Sequence, residues 1–320
     1  MIERNINKAK LLKENIAKIQ KDYMKKMTST SELEAQLGTA TYLIDKLALR
    51  VGNEKGEDEA DTVGWCSLRV EHVKVVSDNK IVLDFLGKDS MRFFQTVTVD
   101  PIAHAAIWRF IKGKKPEEDL FHLINASRLN DYLKELLPFL SAKIFRTYNA
   151  SFTLQKELEK YKEVPKDDIE DKVKFYKNAN REVAKLWNHQ RAVPKNFDEQ
   201  LKKLEDKLQE KKDKLKQLEN HKKQLKKDKN TDAKNLPKSA QAWDAAITKA
   251  KKSLTLEENK VYEKKENKNF ALSTSKINYM DPRISVTWCK NNEVPIERVF
   301  EKTLRMKFAW AMSADLDWKF

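Results

Sequence analysis

Apolar residues along this chain change their spacing from region to region, and each change marks an element. Over residues 3–27, Ile6, Ala9, Leu12, Ile16 and Ile19 recur at helical intervals among lysines, predicting a long amphipathic helix. Thr28-Ser-Thr-Ser31 breaks it with good N-cap chemistry, and a second helix is expected to about Arg50. A polar loop follows from Gly52 to Gly64. Over 66–97 the period becomes two. Leu68, Val70, His72, Lys74 and Val76 alternate with Arg69, Glu71, Val73 and Val75; Ile81, Leu83 and Phe85 alternate again, and Met91 and Phe93 open a third run. Ser77-Asp78-Asn79 and Gly87-Lys88-Asp89 supply the turns, which predicts a three-stranded antiparallel meander with Lys88 at a hairpin tip.

From Pro101 to about His189 the pattern is helical, punctuated by Pro101, Pro116, Pro138 and Pro165, with Ser141 placed as an N-cap. Residues 196–270 differ. Leu201, Leu204, Leu208, Leu215, Leu218 and Leu225 fall on a and d positions of a heptad frame. Asn235-Leu236-Pro237 interrupts, and a second stripe runs through Trp243, Ile247, Ala250, Leu254 and Val261. Two helices joined by a proline-containing turn predict an antiparallel coiled-coil hairpin. A single solvated helix or a disordered basic spacer is the alternative reading of that composition. After Ala271, Asp281-Pro282 reads as an N-cap and first helical position, with Tyr279 just ahead of it. Leu304, Phe308 and Met312 mark a last amphipathic helix.

Composition narrows the function. Charged residues reach 35% against roughly 25% in an average soluble domain, and the net charge of +15 points to a polyanion, nucleic acid before acidic membrane. Only six glycines occur, none after Gly113, and none forms a dinucleotide-binding or Walker-type loop, so ATP- or NAD-driven chemistry on such loops is disfavoured. Cys66 and Cys289 lie far apart without metal-ligand spacing, which argues against a disulfide scaffold and a zinc finger and fits a reducing compartment. With no signal peptide and no run of about 20 apolar residues, the chain reads as soluble and intracellular. Asp58-Glu59-Ala60-Asp61 spells a helicase motif, but it sits in a charged loop with no phosphate-binding loop to accompany it and is set aside.

Five runs carry a sharper signal. They are Asp45-Lys-Leu-Ala-Leu-Arg50-Val-Gly-Asn-Glu54, Asp84-Phe-Leu-Gly-Lys88-Asp89-Ser90, Lys143-Ile-Phe-Arg146-Thr-Tyr-Asn-Ala-Ser151, Asn188-His189-Gln-Arg-Ala192 and Ser275-Lys-Ile-Asn278-Tyr279-Met-Asp-Pro-Arg283. In this order, with a lysine-rich hairpin before the last, they resemble the catalytic region of the eukaryotic type IB DNA topoisomerases. The resemblance covers residues 17–320 and is weakest in the hairpin. It implies an α+β, mainly α fold: a helical catalytic domain with a small three-stranded sheet, shared with tyrosine recombinases, plus the coiled-coil hairpin. The expected domains are a catalytic core (1–195), a linker hairpin (196–270) and a C-terminal domain (271–320) carrying the nucleophile.

Carried over motif by motif, Tyr279, Arg50, Lys88, Arg146 and His189 would be the catalytic set, with Asn278 and Asp89 lining the cleavage site where intercalating poisons bind the family. The chemistry suits these residue types. Tyrosine attack on a phosphodiester builds negative charge on the non-bridging oxygens, which guanidiniums and an imidazole donor can hold. A lysine can protonate the leaving 5′ oxygen. The phenol must lose its proton as it attacks, and no residue stands out as the base. Because the covalent link conserves the energy of the broken bond, neither ATP nor metal is required, and no cofactor is expected.

Each residue has a plainer reading. A lone tyrosine before a helix is usually half-buried packing. His189 could favour a helix C-terminus as a cation. Lys88 in a turn could simply be solvated, and Arg50 and Arg146, set in apolar stretches, need either a carboxylate or a phosphate. His72, His104, His122 and His221 lie in no motif and are read as structural. The ordered conjunction favours the catalytic reading. A tyrosine recombinase is the nearest alternative, but its usual His-x-x-Arg is here Lys143-Ile-Phe-Arg146. A non-enzymatic DNA-binding coiled-coil protein explains charge and heptads but not the five runs. The resemblance also implies double-stranded DNA as partner, no membrane, nuclear localisation, and a separate chain or missing N-terminal region that supplies the other half of a DNA clamp.

Overall fold

The computed structural model describes residues 2–47, 63–87, 90, 92–162, 168–186, 193–225 and 240–320, and these divide into two compact units. The first, the body, comprises 1–190 and 271–320; the second, the hairpin, comprises 191–270.

The body is built on helices that bury one face each. Helix α1 (Ile2–Met27) buries Ile6, Ala9, Leu12, Ile19, Tyr23 and Met27, the stripe its spacing predicts continued to the end of the helix, while Ile16 is only half-buried. Helix α2 (Glu32–Leu47) is buried nearly all round. Their close approach depends on Gly38, where a Cβ would stand 2.7 Å from the Tyr23 carbonyl oxygen and 2.8 Å from the Met27 nitrogen. Glycine in a helix interior costs about 1 kcal/mol relative to alanine. Here no larger residue fits without moving backbone.

The sheet is an antiparallel meander of β1 (Val73–Val76), β2 (Lys80–Leu86) and β3 (Arg92–Thr98), in that spatial order. Val73, Ile81, Leu83, Phe85 and Phe93 face the core. Asp78 and Asn79 take left-handed φ of 59° and 55° in the first turn, a conformation that Asn and Asp tolerate better than most residues. The first strand is shorter than the alternation predicts. Leu68, Arg69, Val70 and Glu71 bond instead to residues 116–120, and 3-10 turns at Trp65–Ser67 and Val70–His72 occupy the stretch. Alternation fits any segment half-covered on one side, so it does not identify the partner.

Helices α3 (Pro101–Ile111), α4 (Ala126–Leu136), α5 (Ala142–Glu159) and α6 (Ile169–Leu186) follow. Asp100 caps α3 through the Ile102 amide, with Pro101 at the first helical position. Ser141 stands at the N-cap of α5 without a side-chain capping bond. The C-terminal part adds α9 (Leu272–Asn278), α10 (Pro282–Asn291) and α11 (Lys302–Lys307). The last amphipathic helix is shorter than expected: α11 ends at Lys307 and a 3-10 turn (Ala309–Ala311) takes over. Leu304 and Phe308 are buried, Met312 only partly. The terminal Phe320 is buried too, its amide donating to Gln155 Oε1 at 2.6 Å.

In the hairpin, α7 (Phe197–Leu225) and α8 (Ala240–Glu266) run antiparallel, since Glu205 pairs with Lys265, Glu219 with Lys251 and Lys222 with Asp244. On α7 the less exposed positions along one stripe are 201, 204, 208, 211, 215, 218 and 222, a heptad spacing. Trp243 and Val261 are buried on α8. Charged residues enter this seam, among them Lys211 and Lys222 at heptad positions, and Glu257, 3.8 Å from Lys211 and nearly fully buried. Asn235, Leu236 and Pro237, expected at the turn, lie outside the described residues.

Candidate active site

Helix α5 supplies the framework of the site. Nearly every side chain from Ala142 to Ser151 is buried, so its position is fixed by core packing on most of its circumference. Arg146, 5% exposed, lies among these apolar neighbours, where a guanidinium needs compensation. Its guanidinium carbon stands 4.7 Å from the centre of the Tyr279 ring, a cation–π contact between residues distant in sequence. The same helix is tied to the end of α2: the Asn149 amide donates to the Asp45 backbone oxygen at 2.7 Å. The Asp45 carboxylate, itself buried, accepts from Tyr23 (2.8 Å) and Gln20 (3.1 Å). Burial and that carboxylate raise the Tyr23 phenol far above its ordinary pKa, so it remains a donor.

Tyr279 occupies the joint between two helices. It is the C-cap of α9, with φ −131° and ψ −34°, and is half-buried. Its amide and that of Met280 both donate to the Ser275 carbonyl, at 2.9 and 3.1 Å, closing α9. Two residues on, Asp281 starts α10 as the sequence predicts: it is wholly buried, its carboxylate accepts from the Arg283 amide, and Pro282 takes the first helical position. Arg283 returns a forked ion pair to Asp281, with nitrogen–oxygen distances of 2.8 and 3.1 Å, while its guanidinium lies over Trp310 and Trp318. Asn278 is exposed and donates to the Thr274 oxygen.

Lys276 anchors α9 from another side. Its ammonium donates to the Val299 oxygen at 3.2 Å and lies over the Tyr176 and Phe300 rings, at 5.3 and 5.9 Å. Burial, reinforced by the Lys177 charge, pushes its pKa down to about 8.

Of the expected set, the structure brings Arg146 and Tyr279 together and puts Asn278 beside the latter in sequence at the exposed end of α9. Arg50, Lys88, Asp89 and His189 lie outside the described residues. The elements that precede them are in view. Leu86 pairs with Arg92, so β2 and β3 flank the segment holding Lys88 and Asp89; α2 and α6 precede Arg50 and His189. Sequence reasoning passed over Ser151, Lys276 and the Asp281–Arg283 pair, although Ser151 closes one motif run and the others fall within another.

Comparison with known proteins places the chain in a family. The family model described as eukaryotic DNA topoisomerase I, catalytic core, matches residues 4–222, and that of the C-terminal topoisomerase domain matches 251–320. DNA topoisomerase 1 alpha of Arabidopsis thaliana is 45% identical over 318 residues, covering 98% of this chain and 34% of the relative. DNA topoisomerase 1 of Homo sapiens is 43% identical over 321 residues, covering 98% and 42%. DNA topoisomerase I, mitochondrial, of Rattus norvegicus is 42% identical over 311 residues, covering 95% and 52%. The chain belongs to the eukaryotic DNA topoisomerase I family. It spans between about a third and a half of the length of these curated relatives.

Proposed function

We propose that this chain is the catalytic portion of a type IB topoisomerase, relaxing supercoiled duplex DNA without ATP through a covalent bond at Tyr279. The observation that carries the reading is the Arg146 guanidinium, carried on a helix buried on most of its circumference, 4.7 Å from the centre of the Tyr279 ring. In this scheme the Tyr279 phenolic oxygen attacks a backbone phosphorus, and the bond to the 5′ oxygen breaks, leaving a 3′-phosphotyrosyl link. Arg50, Arg146 and His189 hold the charge that develops on the non-bridging oxygens, and preorganised donors of this kind are worth about 10²–10³ each in rate. Lys88 protonates the departing 5′ oxygen. The cut strand rotates, and the 5′ hydroxyl attacks the phosphotyrosyl phosphorus, releasing the phenol. Asn278 and Asp89 line the cleavage site, and the basic hairpin is the linker lying close to downstream DNA.

Upstream sequence, on this chain or another, supplies the second half of a clamp. Without it, relaxation is weak and distributive, because many phosphate contacts are missing. By resemblance the enzyme works in the nucleus. The test is a supercoiled plasmid incubated with the chain in the absence of ATP and magnesium, read for relaxation and for covalent adduct. Tyr279→Phe is expected to abolish both while leaving salt-sensitive DNA binding nearly intact. Unchanged relaxation by that variant would refute the assignment.

A further inference from the structure

Three buried hydroxyls in the described helices bond back to their own helix. Thr39 donates to Ala35, Thr41 to Leu37 and Thr147 to Lys143, each to the carbonyl four residues earlier. Ser151, wholly buried on α5, does something else. Its Oγ accepts from the Asp281 amide at 3.0 Å and donates to the Tyr279 carbonyl oxygen at 3.4 Å. One hydroxyl thus grips the chain on both sides of Met280, at the turn from α9 into α10.

We propose that Ser151 is a positioning residue for the nucleophile: its hydroxyl fastens the Tyr279 backbone to the helix that carries Arg146, and so sets the phenol against the cation. This rests on the reading of Tyr279 as nucleophile. Arg146 and Ser151 are separated by about 7.5 Å of helical rise at 1.5 Å per residue. The two contacts to Tyr279, one to its ring and one to its backbone, therefore come from a single rigid rod. Neither α9, seven residues long, nor its short connection to α10 supplies such rigidity alone. The Asp281–Arg283 pair lies within the start of α10 itself, whereas the Ser151 hydroxyl gives this turn a hydrogen bond to α5. A displacement near 1 Å at a reacting centre costs about 10²-fold in rate.

The test uses the full 320-residue chain and a suicide oligonucleotide duplex whose short downstream strand is lost after cleavage. Single-turnover adduct formation at saturating DNA and DNA affinity are measured separately for wild type, Ser151→Ala, Ser151→Thr and Thr41→Ala. Thr41 is an equally buried helical hydroxyl with no bond toward Tyr279, so it controls for general loss of stability. Ser151→Ala is expected to slow adduct formation 10- to 100-fold with affinity within twofold of wild type. Ser151→Thr should recover most of the rate, and Thr41→Ala should keep all of it. Hydrogen exchange at the Asp281 amide should accelerate in Ser151→Ala alone. A wild-type cleavage rate in Ser151→Ala overturns the inference and leaves the Tyr279 reading standing. So does a rate loss matched by Thr41→Ala, which would mark a merely structural role. Absence of adduct from the wild-type chain would take down both.

Discussion

The body and the hairpin are held together by different means. In the body, α1, α2, α5 and the sheet close around a continuous core of large side chains, among them Tyr23, Trp65, Phe110, Phe121 and Phe145. Its buried charges are tied into local networks: Asp45 by Tyr23 and Gln20, Asp281 by Arg283 and by the amide at the start of its own helix. The hairpin has one seam and two wet flanks. Its stripe on α7 is half-buried, and its cross-helix pairs, such as Glu205–Lys265 and Glu219–Lys251, are exposed on both sides. Exposed pairs of this kind contribute about 0–1 kcal/mol each and weaken with salt. The difference teaches where chemistry can be built. A guanidinium can be kept beside a phenol at fixed distance only where the surrounding side chains cannot move aside, and the body alone has such packing.

That contrast can be broken or sharpened by substitution, beginning with the largest effect. Arg146→Ala should lower the single-turnover cleavage rate by about 10²–10³-fold, measured with the suicide duplex. A loss below threefold would separate the cation from the chemistry. Gly38→Ala should destabilise the body by about 1–3 kcal/mol through overpacking against α1, read from denaturant unfolding by tryptophan fluorescence. Glu257→Ala removes the carboxylate near Lys211, which keeps its bond to the Ser253 hydroxyl. Because Lys211 is about one-third exposed and can turn to water, the cost should be only about 1 kcal/mol. Hydrogen exchange of α7 and α8 amides should quicken while the cleavage rate stays the same. Replacing both residues with leucine should restore or raise hairpin stability, as buried pairs often do not outperform packed apolar side chains.

A further expected effect is a pH dependence of stability. Lys276 has its pKa lowered to about 8 in the folded body, against an ordinary value near 10.5 when unfolded. Between those values the unfolded chain binds more protons, so the contribution of Lys276 to stability rises as pH rises through that window. Below pH 8 the folded state carries the full cost of the buried charge. Lys276→Met should remove this term. The variant is then more stable than wild type at pH 7, and the gap narrows toward pH 10 in paired thermal melts. A gap independent of pH would mean that the ammonium is solvated in the fold.

Much of the architecture was legible in the sequence, for reasons that differ by element. Helical spacing identified α1 and the seam of α7 because a helix buried on one face must repeat near every 3.6 residues. Asp281-Pro282 announced α10 because capping chemistry is local. The first strand was overextended, since residues 68–71 alternate like a strand yet bond to residues 116–120, a contact that spacing cannot reveal. The final helix failed similarly: Leu304, Phe308 and Met312 have the right period, but the chain tightens at Lys307 into a 3-10 turn.

For the site, Arg146 and Tyr279 were reachable only through the ordered motif runs, because nothing in either neighbourhood points to the other. Ser151 was invisible for a different reason. It is one of several buried helical hydroxyls, and only the three-dimensional path of residues 279–281 distinguishes it.

The most direct test of the account is to trap the cleavage product with the wild-type chain, trim the DNA with nuclease, digest the protein, and locate the nucleotide remnant by mass spectrometry. The remnant is expected on the phenolic oxygen of Tyr279, joined through a 3′ phosphate. A remnant on any other residue, or a 5′ linkage, would contradict it.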